Sequence, residues 1–220
     1  MCDALYAVYG ASGFGREVMP LARAQLRSIG VSDRRLVFVD DAAGDGETVN
    51  GHRVMRYEQF LAEPACMRYA ALAIANDVVR EKLADRLRND GVSPWSLRAS
   101  NVVVLDDVEM GEGALLCPFV TLTSNIRIGR QFHANIYSYL AHDCVIGDFV
   151  TFAPGVKCNG NVVIEDHAYI GTGAVLKQGK PGLPLVIGRG AVVGMGAVVT
   201  KDVPAGATVV GNPARIMNKD

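Results

Sequence analysis

Residues 104–176 read, in blocks of six, VLDDVE MGEGAL LCPFVT LTSNIR IGRQFH ANIYSY LAHDCV IGDFVT FAPGVK CNGNVV IEDHAY IGTGAV L. Every block opens on an apolar residue: Val104, Met110, Leu116, Leu122, Ile128, Ala134, Leu140, Ile146, Phe152, Cys158, Ile164, Ile170 and Leu176. In a chain that is 50% apolar, such an unbroken run arises by chance about once in ten thousand trials, so the period is a structural signal. The position four places on is also small or apolar almost throughout, from Val108 and Ala114 to Ala168 and Ala174, with Ser138 the polar exception. Three hexads close a triangular coil with one apolar side chain per side pointing inward, and stacked coils bury a continuous column while pairing their backbones. A β-sandwich would instead show alternation with period two and irregular turn spacing.

Glycine follows the apolar residue in several blocks, at Gly111, Gly129, Gly147, Gly171 and Gly188, and is expected there to let the backbone turn the corner. The period resumes at Ile187, Val193 and Val199, so residues 177–186, with Gly179, Pro181, Gly182 and Pro184, are expected to form a loop thrown out from the coil. Residues 201–215 are rich in breakers and read as a last coil or cap.

Before residue 99 the texture differs. Short apolar runs alternate with helical spacing, as expected of strands and helices around a small parallel sheet. Residues 5–9 form the first predicted strand; Gly10-Ala11-Ser12-Gly13-Phe14-Gly15 follows, then a helix over 16–29. A second strand over 36–39 ends in Asp40-Asp41, and a third over 69–74 runs to Asn76. Val79, Leu83 and Leu87 are the expected inner face of the next helix. Two domains follow: a Rossmann-like βαβαβ domain over 1–98 and a parallel β-helix over 99–220.

The net charge of −1 is spread along the chain, with no basic stripe suited to nucleic acid. No apolar run approaches the roughly 20 residues that span a bilayer, and no signal-peptide pattern opens the chain, so membrane insertion is not expected and a cytoplasmic protein is. Cys2, Cys66, Cys117, Cys144 and Cys158 are scattered, without a C-x-x-C pair, and are expected to be reduced and metal-free.

The hexads, together with Val210-Gly211-Asn212-Pro213-Ala214-Arg215, resemble the left-handed β-helix (hexapeptide-repeat) acyltransferases. The glycine-rich start, residues 9–18, narrows the resemblance to the sialic-acid O-acetyltransferase-like branch, which includes the N-acetyltransferases of nucleotide-linked 4-amino-4,6-dideoxy sugars. The resemblance implies a left-handed coil, a homotrimer, acetyl-CoA in the groove between neighbouring β-helices, and an N-terminal domain that holds the nucleotide of the sugar. O-antigen biosynthesis is the implied setting. No metal is implied.

It also implies a base. The segment Ala141-His142-Asp143-Cys144-Val145-Ile146-Gly147-Asp148 matches the family's catalytic histidine, followed by an acid, ahead of an apolar-Gly-acidic corner. Acetyl transfer needs a group to take the proton of the nucleophile and donors for the thioester oxyanion. An imidazole, with an ordinary pKa of about 6.5, suits the first task, and Asp143 could orient it. Asn135 matches a position beside the acetyl group. Thr151 stands where one relative carries a second histidine. Gly160, Gly171 and Thr172 match backbone contacts to the coenzyme; Gly194, Met195, Gly196, Pro213 and Ala214 match the pantetheine track and adenine end.

On the nucleotide side the resemblance points to Gly10, Ser12, Gly13, Phe14 and Gly15. Their spacing G-x-x-G-x-G differs from the dinucleotide fingerprint, although a loop between strand and helix still offers donors to phosphate. Asp40 and Asp41, at a strand end, are candidates for ribose or base. Asn76 and Arg80 are weaker candidates, with helix capping and surface charge as their ordinary explanations. The expected reaction is direct N-acetylation of an amino sugar such as GDP-perosamine or a UDP or dTDP analogue. O-acetylation of sialic acid or a related sugar is the alternative within the fold. A carbonic-anhydrase-like metal site would need His133, His142 and His167 to converge, and a nucleotide-sugar sensor would need no base at all.

Overall fold

A computed structural model describes residues 3–217. It divides into two compact units, Met1–Arg98 and Ala99–Asp220.

In the first unit, β1 (Ala4–Tyr9) lies between β2 (Leu36–Val39) and β5 (Met67–Leu72), parallel to both. The sheet continues outward from β2 through β4 (His52–Met55) to β3 (Thr48–Val49), and from β5 to β6 (Ser93–Pro94). Only the β3–β4 hairpin is antiparallel. Helices α1 (Gly13–Ser28), α2 (Tyr57–Ala62) and α3 (Asp77–Asn89) complete the layers. The central strands are buried nearly throughout, as expected of a parallel sheet covered on both sides.

The inner face of α3 departs from expectation. Arg80, Ala84 and Leu87 are buried, whereas Val79 is exposed. The Asn76 side chain accepts from the Val79 N–H at 2.9 Å, capping the helix and setting its phase. That phase turns the Arg80 guanidinium inward, where it donates to the carbonyls of Ile74 (2.8 Å) and Ala75 (3.2 Å).

The second unit is a parallel β-helix of short strands on three faces. The first face carries Val103–Val104, Thr121–Leu122, Tyr139–Leu140, Lys157–Cys158, Val175–Leu176 and Val198–Val199. The second carries Val108–Met110, Ile126–Ile128, Val145–Ile146, Val162–Ile164 and Leu185–Ile187. The third includes Leu115–Leu116, His133–Ala134, Thr151–Phe152, Tyr169–Ile170, Val192–Val193 and Thr208–Val210. Each strand pairs with the one a coil away: Leu122 with Leu140, Leu140 with Cys158, Ala134 with Phe152, Ile128 with Ile146. Apolar residues from Leu116 to Leu176 at the six-residue period form the buried column. Val104 and Met110 are the exceptions, partly exposed in the first coil, which has no earlier coil of the helix to cover it. The predicted loop ends early, because Leu185–Ile187 is already a strand and its tip is a tight turn between Lys180 and Leu183.

The corner glycines act differently from expectation. Left-handed backbone recurs every six residues, but three places after the apolar residue: Asp107, Phe119, Asn125, Gln131, Tyr137, Asp143, Phe149, Asn161 and His167 all have positive φ. The glycines that directly follow the apolar residue are needed for close stacking. A Cβ at Gly111 would lie 2.6 Å from the Arg130 nitrogen in the next coil, and one at Gly129 would lie 2.3 Å from the Asp148 carboxylate.

Among the cysteines, Cys117, Cys144 and Cys158 are free and buried, whereas Cys66 is disulfide-bonded, contrary to the expectation of reduced thiols. Scattered spacing says nothing about which cysteines the fold brings together. Cys2 lies outside the described residues.

Candidate active site

His142 and Asp143 sit at the corner between the first and second faces, after Tyr139–Leu140 and before Val145–Ile146. The left-handed turn at Asp143 (φ 58°) breaks the inward-outward alternation, so His142 is 47% exposed although its neighbours Leu140 and Cys144 are buried. Its Nδ1 lies 2.7 Å from Oδ2 of Asp143. A carboxylate only accepts, so in the neutral ring Nδ1 carries the proton and Nε2 presents a lone pair. The other oxygen, Oδ1, accepts from Asn125 Nδ2 at 3.2 Å. These two bonds, that of His142 first, hold the Asp143 carboxyl below the usual aspartate range.

Gly160 lies one coil beyond His142 and forms the floor under the ring. A Cβ there would stand 2.6 Å from Cε1 and Nε2 of His142 and 3.0 Å from Nδ1. Any larger residue would push the imidazole aside. Asn125 was not singled out from sequence, and Gly160 was read only as a backbone contact. Both were within reach of the coil length, since Asn125 lies eighteen residues before Asp143 and Gly160 eighteen after His142.

The other predicted groups fall at a different corner. Asn135 lies between the third and first faces, with Nδ2 donating to the Phe152 carbonyl at 2.8 Å. Gly171, Thr172, Gly194, Met195 and Gly196 occupy the same corner in later coils, and Met195 is 82% exposed. Within one chain they are separated from His142 by the first face. Several of their backbone donors are already engaged by coil stacking: Gly171 N–H donates to Val193, Gly194 to Val209, Gly196 to Thr172 and Ala214 to Val198. Among the described residues of this set, the N–H groups of Gly160, Thr172 and Met195 make no such bond. Thr151 lies within a third-face strand and is only 5% exposed, so its hydroxyl is not offered to solvent. Pro213 follows a cis peptide bond from Asn212 in the turn after Thr208–Val210.

The remaining histidines scatter. His133 is fully buried on the third face, the His167 ring stacks on Phe149, and His52 lies in the first unit beside the Leu36 carbonyl. Among the described residues, no group of three or more His, Cys, Asp or Glu side chains could hold a metal ion.

In the first unit, Gly10 donates its N–H to the Val39 carbonyl at 2.7 Å, and its φ of 105° suits only glycine. A Cβ at Gly15 would fall 1.8 Å from the Gly10 carbonyl oxygen, so the turn into α1 requires glycine there too. Ser12 caps α1 without a side-chain bond, and no acid stands in the first turn of the helix. Gly13 opens the helix and Phe14 is half-buried. Asp40 latches this loop, accepting from the Ala11 N–H (3.0 Å) and the Ala42 N–H (3.1 Å). Asp41 accepts from the Tyr9 hydroxyl at 2.9 Å. Asn76 is a helix cap, and Arg80 is not the surface charge that its sequence context suggested. It is fully buried, and burial pushes its guanidinium down to about 10.

No family model matches the chain. It is 54% identical over 215 residues to the GDP-perosamine N-acetyltransferase of Escherichia coli O157:H7, covering 98% of this chain and 97% of that protein. The solved structure of WeeI from Acinetobacter baumannii AYE is 63% identical, covers 97% of this chain and 100% of its own, and superposes with a TM-score of 0.95. The acetyltransferase domain of PglB from Neisseria gonorrhoeae FA1090, solved with acetyl coenzyme A, is 27% identical, with a TM-score of 0.85 over 98% of this chain and 100% of that domain. The fold is accordingly a Rossmann-like domain followed by a left-handed β-helix.

Proposed function

The chain belongs to the sugar N-acetyltransferase family of hexapeptide-repeat acyltransferases, and on that premise we propose that it transfers the acetyl group of acetyl-CoA to the 4-amino group of a nucleotide-linked 4-amino-4,6-dideoxy sugar. GDP-perosamine is the first acceptor to test, because a relative of 54% identity is named for it.

The exposed His142, tied at Nδ1 to Asp143 and floored by Gly160, carries the proposal. Nε2 takes a proton from the amine as its nitrogen attacks the thioester carbon. The C–N bond forms, the C–S bond breaks, and the proton passes on to the departing coenzyme sulfur. Asp143 stabilises the imidazolium in between. Transfer is direct. The thiols of Cys117, Cys144 and Cys158 are buried, and burial pushes that of Cys158 up, which argues against an acyl-cysteine intermediate. The unengaged N–H groups of Gly160 and Thr172 are the candidates for the thioester carbonyl and the coenzyme. Asn135, Gly194, Met195, Gly196, Pro213 and Ala214 would line the rest of the acetyl-CoA track.

The first unit would hold the nucleotide, its phosphates at the start of α1, whose first turn carries no acid, around Ser12, Gly13 and Phe14. Asp41 and the remaining lone pairs of Asp40 would face ribose or base. We extend the reading to a cytoplasmic homotrimer acting in O-antigen biosynthesis. A trimer is supported by the separation of His142 from Asn135 and Thr172 onto different corners. A three-fold ring that sets one corner of a copy against the other corner of the next would bring them together.

The experiment is incubation with acetyl-CoA and GDP-perosamine, its UDP and dTDP analogues, or sialic acid, following free thiol and product mass. N-acetylation of an amino sugar, lost in His142→Asn, is the expected result. Acetylation of sialic acid alone, or full activity in His142→Asn, would overturn the proposal.

A further inference from the structure

We infer that Asn125 is a positioning residue for the base: its side-chain amide fixes the Asp143 carboxylate, which in turn fixes the plane and tautomer of the His142 imidazole. The inference rests on the reading of His142 as the base.

Asp107, Asn125, Asp143 and Asn161 occupy one corner of successive coils, each with φ between 52° and 58°. Asp and Asn tolerate the left-handed region better than other side chains, which explains the residue class at all four positions. It does not explain why the second is an amide. Backbone bonds tie the coils together at this corner, with Asp143 N–H donating to the Ser124 carbonyl at 3.1 Å and Asn161 N–H to the His142 carbonyl at 2.9 Å. The adjacent side chains are thereby held within reach of each other. Asn125 Nδ2 donates to Oδ1 of Asp143 at 3.2 Å while Oδ2 of the same carboxylate engages His142 at 2.7 Å.

With both oxygens engaged, the carboxylate cannot rotate without breaking one bond. Asp143 is 46% exposed, so released from Asn125 it would sample other orientations and take the ring with it. An aspartate at 125 would suit the backbone equally well but would set a second carboxylate against Asp143. A glycine would suit the backbone and contribute nothing to Asp143. Asp107, the ladder residue before Asn125, is occupied by Arg127 at 3.1 Å.

The test uses the full chain, acetyl-CoA and whichever nucleotide-linked amino sugar the panel above shows to be acetylated, with Asn125→Gly, Asn125→Asp, Asp143→Ala and the double variant Asn125→Gly/Asp143→Ala. Asn125→Gly is expected to lower kcat about tenfold with both KM values unchanged, and Asn125→Asp to lower it further. In the Asp143→Ala background Asn125→Gly should cause no additional loss, because its effect passes through the carboxylate. Wild-type kcat in Asn125→Gly, or an equal fold-loss with and without Asp143, would overturn the inference. If Asn125→Gly does not fold, Asn125→Asp decides, and a wild-type kcat there refutes it. His142→Asn separates the two readings: an active His142→Asn removes the base, whereas an inactive one beside an unaffected Asn125→Gly removes only the role of Asn125.

Discussion

Replacing Gly160 by alanine adds one methyl group and should disable the base. The Gly160 backbone is not in the left-handed region, so alanine fits it without strain. The methyl would stand 2.6 Å from Cε1 and Nε2 of His142. Non-bonded carbon contacts settle near about 3.5 Å, so the ring must retreat by roughly 1 Å. Nδ1 is held at Asp143, so the displacement falls largely on Nε2, the atom that meets the amine in the proposed reaction. A misplacement of about 1 Å costs on the order of 100-fold, or about 2.7 kcal/mol of transition-state stabilisation at 1.36 kcal/mol per decade. The half-exposed ring has solvent to move into, so stability should change by less than about 1 kcal/mol. The measurements are kcat, both KM values and Tm of Gly160→Ala. The N–H at 160 survives the substitution, so a role limited to backbone donation predicts little change. A folded Gly160→Ala with kcat within about twofold of wild type would refute the argument.

His142→Asn should lower kcat by about 10² to 10⁴-fold with Tm lowered by no more than Asp143→Asn lowers it, read by thiol release and thermal unfolding together. The Asp143 carboxyl is held below its ordinary value of about 3.9, so its pairing stabilises the fold above that pH and is lost as pH falls through the lower folded value. Wild-type Tm should therefore approach that of Asp143→Asn below about pH 4, and a gap that stays constant would count against the pairing. Arg80→Met removes donors from the Ile74 and Ala75 carbonyls and should cost about 2–4 kcal/mol in urea unfolding, which a neutral outcome would contradict. Gly15→Ala would drive a methyl into the Gly10 carbonyl; nucleotide-sugar binding by calorimetry should weaken at least about tenfold, while unweakened binding would show that the loop is not used.

Much of the candidate site was legible because the family motif runs along the chain: His142 and Asp143 are adjacent, and the glycine-rich turn follows its strand directly. What was misjudged depends on neighbours in space. Arg80 looked like a surface charge because nothing local shows that the inner face of α3 falls one position later, on Arg80 and Ala84, than the Val79, Leu83, Leu87 spacing implies. The corner glycines looked like turn residues, whereas the stacked coil above or below each of them is what excludes a side chain.

The hexad period alone determined the β-helix, because burial of apolar side chains is non-directional and demands only that one residue in six point inward, whatever its identity. The tertiary structure decided the contacts of individual side chains: that Gly160 lies against the His142 ring, that Asn125 reaches Asp143, and that Asn135 lies at another corner from His142. Hydrogen bonds and steric contacts act over a few ångströms in fixed directions, and those directions exist only once residues eighteen apart have been stacked.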